Sequence, residues 1–398
     1  MQSKGRYNLF IDLSSFNPEY LGGVSRFAIS LTDKLVQMDS IFEISIIPNQ
    51  INLKYLCNRY GEDNILSVYP IQVNKFFSLL EKLNFNFFRS VILFSIIQKS
   101  RYRMVLNTLS SFEGVLYCPT TYLNFKSNKL LNLVSLHDIQ EKRYPGNFSK
   151  DQRIYRNIRV KYTLKNVIKV QVSSRFMAKE LQEIYNVKSN VLAEIAEGVN
   201  LNLFKKSTVR LNQVEEIPKR FVIYLTGRLL PHKNHIELFK AIDNFHTNRD
   251  LEVVIADIPE NLTSDIQKIL SRNNNLVFNL TGNLTDQELI DLYSRANLVL
   301  VPSLYESSSL PILEALACGA PVLASSIPPH IEMASNLPIL IYESGDKHSL
   351  QESLAILIDG LLPVNQEDSN SQLKKYEWEN IAKVYLETFK SVIEESNS

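Results

Sequence analysis

The sequence contains little glycine, cysteine or tryptophan. Its 398 residues include 12 glycines, three cysteines and one tryptophan. Three scattered cysteines exclude a disulfide framework and a cysteine-ligated zinc site, and they favour a reduced, cytosolic protein. No uncharged apolar stretch reaches about 18 residues, which argues against a membrane-spanning helix. Because the N-terminus also lacks the pattern of a signal peptide, we expect a cytoplasmic protein.

The chain also lacks an excess of charge of either sign. Its 43 Lys and Arg residues balance 42 Asp and Glu residues, for a formal net charge of +1. This balance excludes a global attraction to nucleic acid or anionic membranes. No D-x-D pair occurs, so the sequence does not support Mg²⁺ or Mn²⁺ held by paired carboxylates. We expect neither a metal nor another cofactor.

Short β-branched, apolar runs alternate with amphipathic segments, and this pattern occurs twice. It is typical of βαβ units with parallel sheets and predicts an α/β fold of two doubly wound domains. The predicted strands are Asn8–Leu13, Phe42–Pro48, Val115–Cys118, Leu133–Leu136, Val167–Val172, Val191–Ala196, Phe221–Thr226, Leu251–Ala256, Leu276–Leu280, Leu298–Val301, Pro321–Ala324 and Ile339–Tyr342. The predicted helices include Ser25–Val36, Tyr155–Leu164, Arg175–Tyr185, Tyr376–Glu394, and Asp286–Arg295 behind a capping box of Thr285 and Glu288.

A polar stretch with little apolar periodicity separates the two halves of the chain. We therefore predict a first domain over residues 1–204, a linker over 205–219 and a second domain over 220–372. The remaining residues, 373–398, carry apolar side chains on one face and predict a C-terminal helix.

The segment 301–326 carries the richest combination of polar residues and helix signals. A polar loop follows a buried strand, Pro311 opens a helix and Gly319 ends it. In an open α/β sheet, ligands bind at the carboxyl ends of strands, where a helix N-terminus attracts a diphosphate. Glu306 lies in the loop and Glu314 in the first turn or so of the helix, where both can accept hydrogen bonds from sugar hydroxyls. Taken alone, Glu306 is more typical of a solvated loop acid, and Glu314 of a first-turn acid that favours the helix dipole. The whole string is much more specific.

The segment 225–234, LTGRLLPHKN, places two cations after another predicted strand. Arg228 and Lys233 precede a helix that we expect Asn234 to cap, with Glu237 three residues further on. Two cations at the carboxyl end of a strand can neutralise a diphosphate without a metal. Either cation alone is also typical of an ordinary protein surface.

Two shorter motifs lie in the first half. His137 and Asp138 end a predicted strand, where the imidazole can bind a ligand and Asp138 can orient it. A structural histidine bound to backbone is the other interpretation. Gly22 and Gly23 precede the first predicted helix and can bring backbone N–H groups close to a phosphate. A lone glycine pair is a weak signal.

Taken in order, these motifs resemble those of retaining glycosyltransferases of family 4. The matching residues are Gly22–Gly23, His137–Asp138, Val172 to Arg175, Glu197 to Phe204, Gly227 to Leu229 with Lys233, and Glu306 with Glu314 before the tail EALACGAPV. The similarity extends from about Asn8 to Phe389. It implies the GT-B fold: two Rossmann-like domains facing a cleft, with a C-terminal helix that crosses back to the first domain.

The resemblance implies a role for each matching residue. Arg228 and Lys233 would bind the donor diphosphate, and Glu306 would contact the donor sugar near the reacting carbon. His137 would touch the donor sugar or stabilise the transition state, and Glu314 would bind the nucleotide ribose. The other implied donor-binding residues are Gly22, Gly23, Asp138, Gly227, Ser308, Ser309 and Leu310.

The activity that the resemblance implies is metal-independent, retaining transfer of a hexosyl group, with mannose favoured. The donor would be a GDP- or UDP-linked sugar. The acceptor would be a glycan or a polyprenyl-diphosphate-linked saccharide in O-antigen, capsule or exopolysaccharide synthesis. Alternatives are a catalytically inactive glycosyltransferase-like partner subunit and another GT-B enzyme such as a nucleotide-sugar epimerase. A nicotinamide oxidoreductase is disfavoured because no G-x-G-x-x-G follows a strand.

One basic, aromatic stretch of the sequence bears on whether the protein associates with a membrane. Residues 74–103 interleave phenylalanines with Lys and Arg. This composition is typical of helices that lie on an anionic membrane, where the enzyme would reach a lipid-linked acceptor. Two helices that bury their aromatic face in the first domain have the same composition.

Overall fold

Parallel β-strands separated by helices run through both halves of the chain. The computed structural model describes residues 6–19, 22–38, 41–68, 70, 98–206, 220–227, 230–243, 245, 247, 249–255, 268–269, 271–272, 275–282, 284–358 and 369–398. The chain divides into two units, Met1–Ala196 with Trp378–Ser398, and Glu197–Glu377. Residues 197–204, which we predicted in the first domain, thus belong to the second unit. Most of the predicted linker, 207–219, and most of the basic aromatic stretch, 74–97, lie outside the described residues.

The first unit contains a parallel sheet with the strand order β2-β1-β3-β4-β5-β6. Its strands are β1 Tyr7–Asp12, β2 Phe42–Ile47, β3 Gly114–Cys118, β4 Leu130–Ser135, β5 Lys169–Val172 and β6 Leu192–Glu194. Its helices are α1 Gly23–Gln37, α2 Leu53–Tyr60, α3 Arg103–Leu109, α4 Gln140–Arg143, α5 Lys150–Asn166, α6 Arg175–Tyr185 and α13 Trp378–Asn397. The order of the strands reverses between β1 and β3, which opens a crevice at their carboxyl ends.

The C-terminal helix α13 is part of the first unit's core. The Trp378 ring meets the Phe27 ring of α1 at 5.6 Å, and the Phe389 ring lies 5.1 Å from that of Tyr117 in β3. The Tyr385 hydroxyl lies 3.3 Å from the Ser135 hydroxyl. The prediction of a terminal helix that returns to the first domain is therefore confirmed, and this helix starts at Trp378.

The second unit contains a parallel sheet with the strand order β12-β11-β10-β7-β8-β9. Its strands are β7 Phe221–Leu225, β8 Leu251–Ile255, β9 Leu276–Leu280, β10 Leu298–Val301, β11 Val322–Ser325 and β12 Ile339–Tyr342. Its helices include α7 His235–Ile242, α8 Asp286–Arg295, α9 Leu310–Ala317, α10 Pro328–Ala334, α11 Lys347–Ile358 and α12 Ser369–Leu373. This is the order of a dinucleotide-binding fold, and it reverses between β7 and β10.

Local sequence explains where several helices begin. The Thr285 hydroxyl accepts the Glu288 N–H and the Glu288 carboxylate accepts the Thr285 N–H, so the predicted capping box of α8 is present. Ser149 and Gln152 form the same arrangement at the start of α5. None of the described helices is long and apolar enough to cross a membrane.

Candidate functional site

The loops after β7 and β10 meet at the point where the strand order of the second unit reverses. The Leu304 N–H donates to the His232 carbonyl at 2.7 Å and so joins the two loops. Gly227 has φ +84°, and a Cβ atom there would lie 3.3 Å from Lys233 Cδ. The positive φ favours glycine at this position, and an added Cβ atom would also make the lysine stem shift by a few tenths of an ångström.

Lys233 and Glu306, predicted from separate motifs, form a partly buried ion pair in this crevice. Lys233 Nζ lies 2.6 Å from Glu306 Oε1, and the Ser303 hydroxyl donates to the same oxygen at 2.6 Å. Burial favours the neutral acid, but the Lys233 charge and these hydrogen bonds outweigh it and hold the pKa of Glu306 below its usual value. Glu306 is therefore ionised at neutral pH and fixed at one oxygen.

The N-terminus of α9 borders the same loop. Ser309 occupies the N-cap position, but its hydroxyl makes no capping bond. The Ser309 oxygen is buried and has no hydrogen-bond partner among the described residues. Leu310 begins the helix. Pro311 has no N–H and the Ile312 N–H donates to the Ser309 carbonyl at 3.1 Å, so the Ser309 hydroxyl and the Leu310 N–H are the donors that this helix start can offer to an anion.

Glu314 lies deeper in α9 than we predicted. It is the fifth residue of the helix, in the second turn instead of the first, and it is buried. The Tyr293 hydroxyl of α8 donates to Glu314 Oε2 at 3.1 Å. The alternative interpretation of Glu314 as a first-turn acid that favours the helix dipole is therefore wrong.

Asn234 does not cap α7 in the way that the sequence suggested. It occupies the N-cap position with left-handed backbone, φ 53°, and its side chain makes no capping bond. The Asn234 amide instead donates to the Glu237 carboxylate, which also accepts the Gly345 N–H at 2.7 Å and the Tyr342 hydroxyl at 3.1 Å. This buried network holds the backbone that presents Lys233.

His330 and Ser325 were not among the predicted site residues. Ser325 ends β11, and its hydroxyl donates to the Ser303 carbonyl at 2.5 Å. His330 of α10 is fully buried, with Nδ1 3.0 Å from the Ser325 carbonyl. Burial lowers the pKa of His330 to about 4, although the Glu306 charge opposes this shift. The overlooked signal is that Ser325 ends β11 at the carboxyl edge of the sheet and that His330 follows in the next helix.

Arg228 and Leu229 lie outside the described residues, so the role of Arg228 stays a prediction. Ser308 lies half-buried in the loop before α9. Within the described part of the chain, no group of three or more His, Cys, Asp or Glu residues is close enough together to hold a metal ion.

In the first unit, His137 follows β4 and is buried. Its Nε2 lies 2.8 Å from the Pro119 carbonyl, and Phe27 meets the imidazole edge-to-face at 4.6 Å. We expected Asp138 to orient this histidine. The structure instead pairs Asp138 with Arg156 and with the Gln140 N–H, because Arg156 of α5 reaches over the loop. The Pro119 carbonyl therefore orients the imidazole.

The two glycines at the start of α1 do not need left-handed backbone. Gly22 is the N-cap residue with φ −75°, and a Cβ atom on Gly23 would meet nothing within 4 Å. Backbone conformation therefore does not require glycine at Gly22, and packing does not require it at Gly23. The ligand contact that we predicted for the pair stays a prediction.

Comparison with known proteins decides the type of enzyme. Residues 209–376 match the family model described as "Glycosyl transferases group 1". The prediction of a glycosyltransferase is thereby confirmed. This glycosyltransferase is 23% identical over 248 residues to the O-antigen chain mannosyltransferase of Salmonella typhimurium, a match that covers 62% of this chain and 66% of that protein.

Solved structures confirm the GT-B fold. The glycosyltransferase superposes on HepE of Anabaena, solved with UDP and glucose, with a TM-score of 0.67 and 16% identity over 97% of this chain and 100% of that one. WaaG, a glycosyltransferase involved in lipopolysaccharide biosynthesis, gives a TM-score of 0.64 at 12% identity over 96% and 99% of the two chains.

Proposed function

We propose that this glycosyltransferase transfers a hexosyl group, mannose in preference, from a GDP- or UDP-linked sugar to a glycan or polyprenyl-diphosphate-linked acceptor. The reaction retains the anomeric configuration, as in family 4, and serves surface polysaccharide synthesis on the cytoplasmic side of the membrane. The observation that carries the proposal is the partly buried Lys233–Glu306 pair beside the start of α9, where Ser309 makes no capping bond. The Salmonella relative is an O-antigen mannosyltransferase, and the HepE structure holds UDP and glucose, which supports the class of donor.

The chemistry follows from charge. When the bond between the sugar and the diphosphate breaks, negative charge grows on the leaving diphosphate. Lys233, together with Arg228, supplies cations, and the Ser309 hydroxyl and the Leu310 N–H at the start of α9 supply hydrogen-bond donors. Fixed donors of this kind lower the barrier by several kcal/mol because they need no reorganisation, about 3 kcal/mol for one donor. This charge does not need a metal, and we propose that none takes part.

Glu306 stabilises the positive charge that develops on the sugar ring. Lys233 and the Ser303 hydroxyl both donate to Glu306 Oε1, and these charge-assisted hydrogen bonds draw charge from the carboxylate and weaken it as a nucleophile. We therefore favour transfer on the same face as the departing diphosphate over a covalent glycosyl-enzyme.

Calorimetric titration of the full chain with GDP and UDP tests the proposal, followed by a screen of sugar donors with lipid-diphosphate acceptors and product mass as the readout. We expect one nucleotide to bind, one sugar to transfer, and turnover to survive EDTA. A protein that binds neither nucleotide is an inactive partner subunit, and the proposal fails. Loss of turnover with EDTA contradicts the metal-independent part alone.

A further inference from the structure

A cluster of aromatic and charged side chains lies at the carboxyl edge of the first unit's sheet, close to His137. The loop after β3 contributes Tyr122, α4 contributes Glu141, and α5 contributes Tyr155, Arg156 and Arg159. The cluster reaches the surface of this unit, because Tyr155 is 39% exposed and the Asp138 side chain beside Arg156 is 36% exposed.

A strained turn holds Tyr122 in this position. Thr121 has φ +55°, which is unusual for a β-branched residue, and the Tyr122 N–H donates to the Thr120 carbonyl at 2.5 Å. The same loop supplies the Pro119 carbonyl that orients His137. Such a conformation costs about 1–3 kcal/mol and persists where the surroundings enforce it, often at ligand sites.

Two buried oxygen atoms of the cluster have no hydrogen-bond partner in the described part of the chain. They are the Tyr122 hydroxyl and Glu141 Oε1. Glu141 is only 3% exposed, and its other oxygen accepts the Arg156 Nε–H at 2.8 Å. Burial raises the pKa of the Tyr122 phenol, and the nearby charges of Asp138 and Glu141 add to that shift against the two arginines. Leaving a buried oxygen without a hydrogen bond is unfavourable, and a ligand hydroxyl would supply the missing partner.

The charges and rings of the cluster indicate the class of ligand. Arg156 pairs with Asp138 and Glu141, while the Arg159 guanidinium stacks 4.9 Å above the Tyr122 ring and donates to the Tyr155 hydroxyl at 3.0 Å. Two arginines and two carboxylates sum to no net charge, so the cluster does not favour a phosphate. Aromatic faces with a few fixed polar atoms are suited to a neutral, hydroxyl-rich ring.

We propose that Tyr122 and Glu141 bind adjacent hydroxyls of a neutral saccharide, which is the terminal sugar of the acceptor. The Glu141 carboxylate accepts a hydrogen bond from one hydroxyl, and the Tyr122 phenol forms a hydrogen bond with the next. This inference rests on the proposed function, because it assigns the acceptor of that transfer to residues of the first unit.

Saturation-transfer NMR on the full chain measures the binding. The probes are the methyl glycosides of mannose, galactose, glucose and rhamnose, with inorganic phosphate as the anionic probe. The variants are Tyr122→Phe and Glu141→Gln, each of which removes one polar contact without changing shape. Tyr60→Phe is the control, because it removes a buried hydroxyl from α2 of the same unit. Thermal melting verifies that each variant folds.

We expect saturable binding of at least one glycoside, weakened about threefold by Tyr122→Phe and about tenfold by Glu141→Gln, and unchanged by Tyr60→Phe. If Glu141→Gln fails to fold, the glycoside affinity of Tyr122→Phe alone tests the inference. No saturable glycoside binding, equal affinity in the folded variants, or displacement of the glycoside by phosphate each overturns the inference. Titration with GDP and UDP separates the two proposals, since loss of nucleotide binding alone defeats the proposed function and leaves this site standing.

Discussion

At the scale of single residues, the Lys233–Glu306 pair is the feature on which the donor chemistry depends. Both side chains are largely removed from water, and each neutralises the other at 2.6 Å. A buried pair adds little net stability, but the loss of one partner leaves an uncompensated buried charge that costs about 3–5 kcal/mol. The pair therefore holds a cation ready for the diphosphate.

Replacing Lys233 by methionine tests this role. The change keeps the stem that packs against Gly227 and removes the charge, so we expect kcat/KM to fall about 10²–10³-fold with the sugar donor. Steady-state kinetics with a fixed acceptor measures the effect. Lys240→Met in the last turn of α7, on an exposed residue, is the matched control. Turnover of Lys233→Met at the wild-type rate would remove Lys233 from the mechanism.

The pH dependence of stability provides a second prediction. In the wild type, the lowered pKa of Glu306 means that its stabilising contribution is present above the ordinary Glu value and is lost as the pH falls through the folded pKa. In Lys233→Met, burial dominates and raises that pKa, so the carboxylate destabilises the variant at neutral pH and is relieved on acidification. The Tm difference between the two proteins should shrink from pH 7 to pH 5. A constant difference contradicts this assignment.

At the scale of elements, the turn after β7 raises the question of whether Gly227 positions Lys233 or only allows the positive φ of the backbone. Gly227→Ala should destabilise the protein by about 1–3 kcal/mol because of its positive φ, and should also raise the donor KM because the new methyl group displaces Lys233. Gly282→Ala is the control, since Gly282 has φ +67° and open space around it. Equal donor KM values in the two variants would show that the contact with Lys233 is unimportant.

The elements themselves could be predicted from sequence because hydrophobic periodicity is a local property. The helix Arg175–Tyr185 and the strand Leu298–Val301 match the prediction residue for residue. The predicted start of β4, Leu133, was wrong, because the strand begins at Leu130. The polar Asn132 is accommodated within the strand because its side-chain oxygen accepts the Ser127 N–H.

Pairings between distant residues could not be predicted in the same way. Lys233 meets Glu306 because the sheet places β7 beside β10, and strand order is not written in either motif. Asp138 was assigned to its sequence neighbour His137, whereas Arg156 from α5 takes it. Chemical type was readable from the sequence, but the partner depends on topology.

At the scale of the whole molecule, we predict membrane association through residues 74–103. We expect the protein to sediment with vesicles of phosphatidylglycerol and phosphatidylcholine, and Arg101→Glu with Arg103→Glu to abolish this, because each basic residue contributes about 1 kcal/mol near an anionic surface. Lys205→Glu with Lys206→Glu, at exposed positions of the second unit, is the control. Equal sedimentation of both double variants would place the contact elsewhere.

The return of α13 to the first unit has a consequence for biosynthesis. Trp378, Tyr385 and Phe389 complete a core whose members outside α13 lie between Leu9 and Ile195 and are synthesised earlier. The rest of the first unit therefore leaves the ribosome with an open hydrophobic face and closes it only when α13 emerges. The second unit, Glu197–Glu377, is continuous in sequence and can finish folding earlier. A nascent chain stalled before Trp378 would be a client for chaperones.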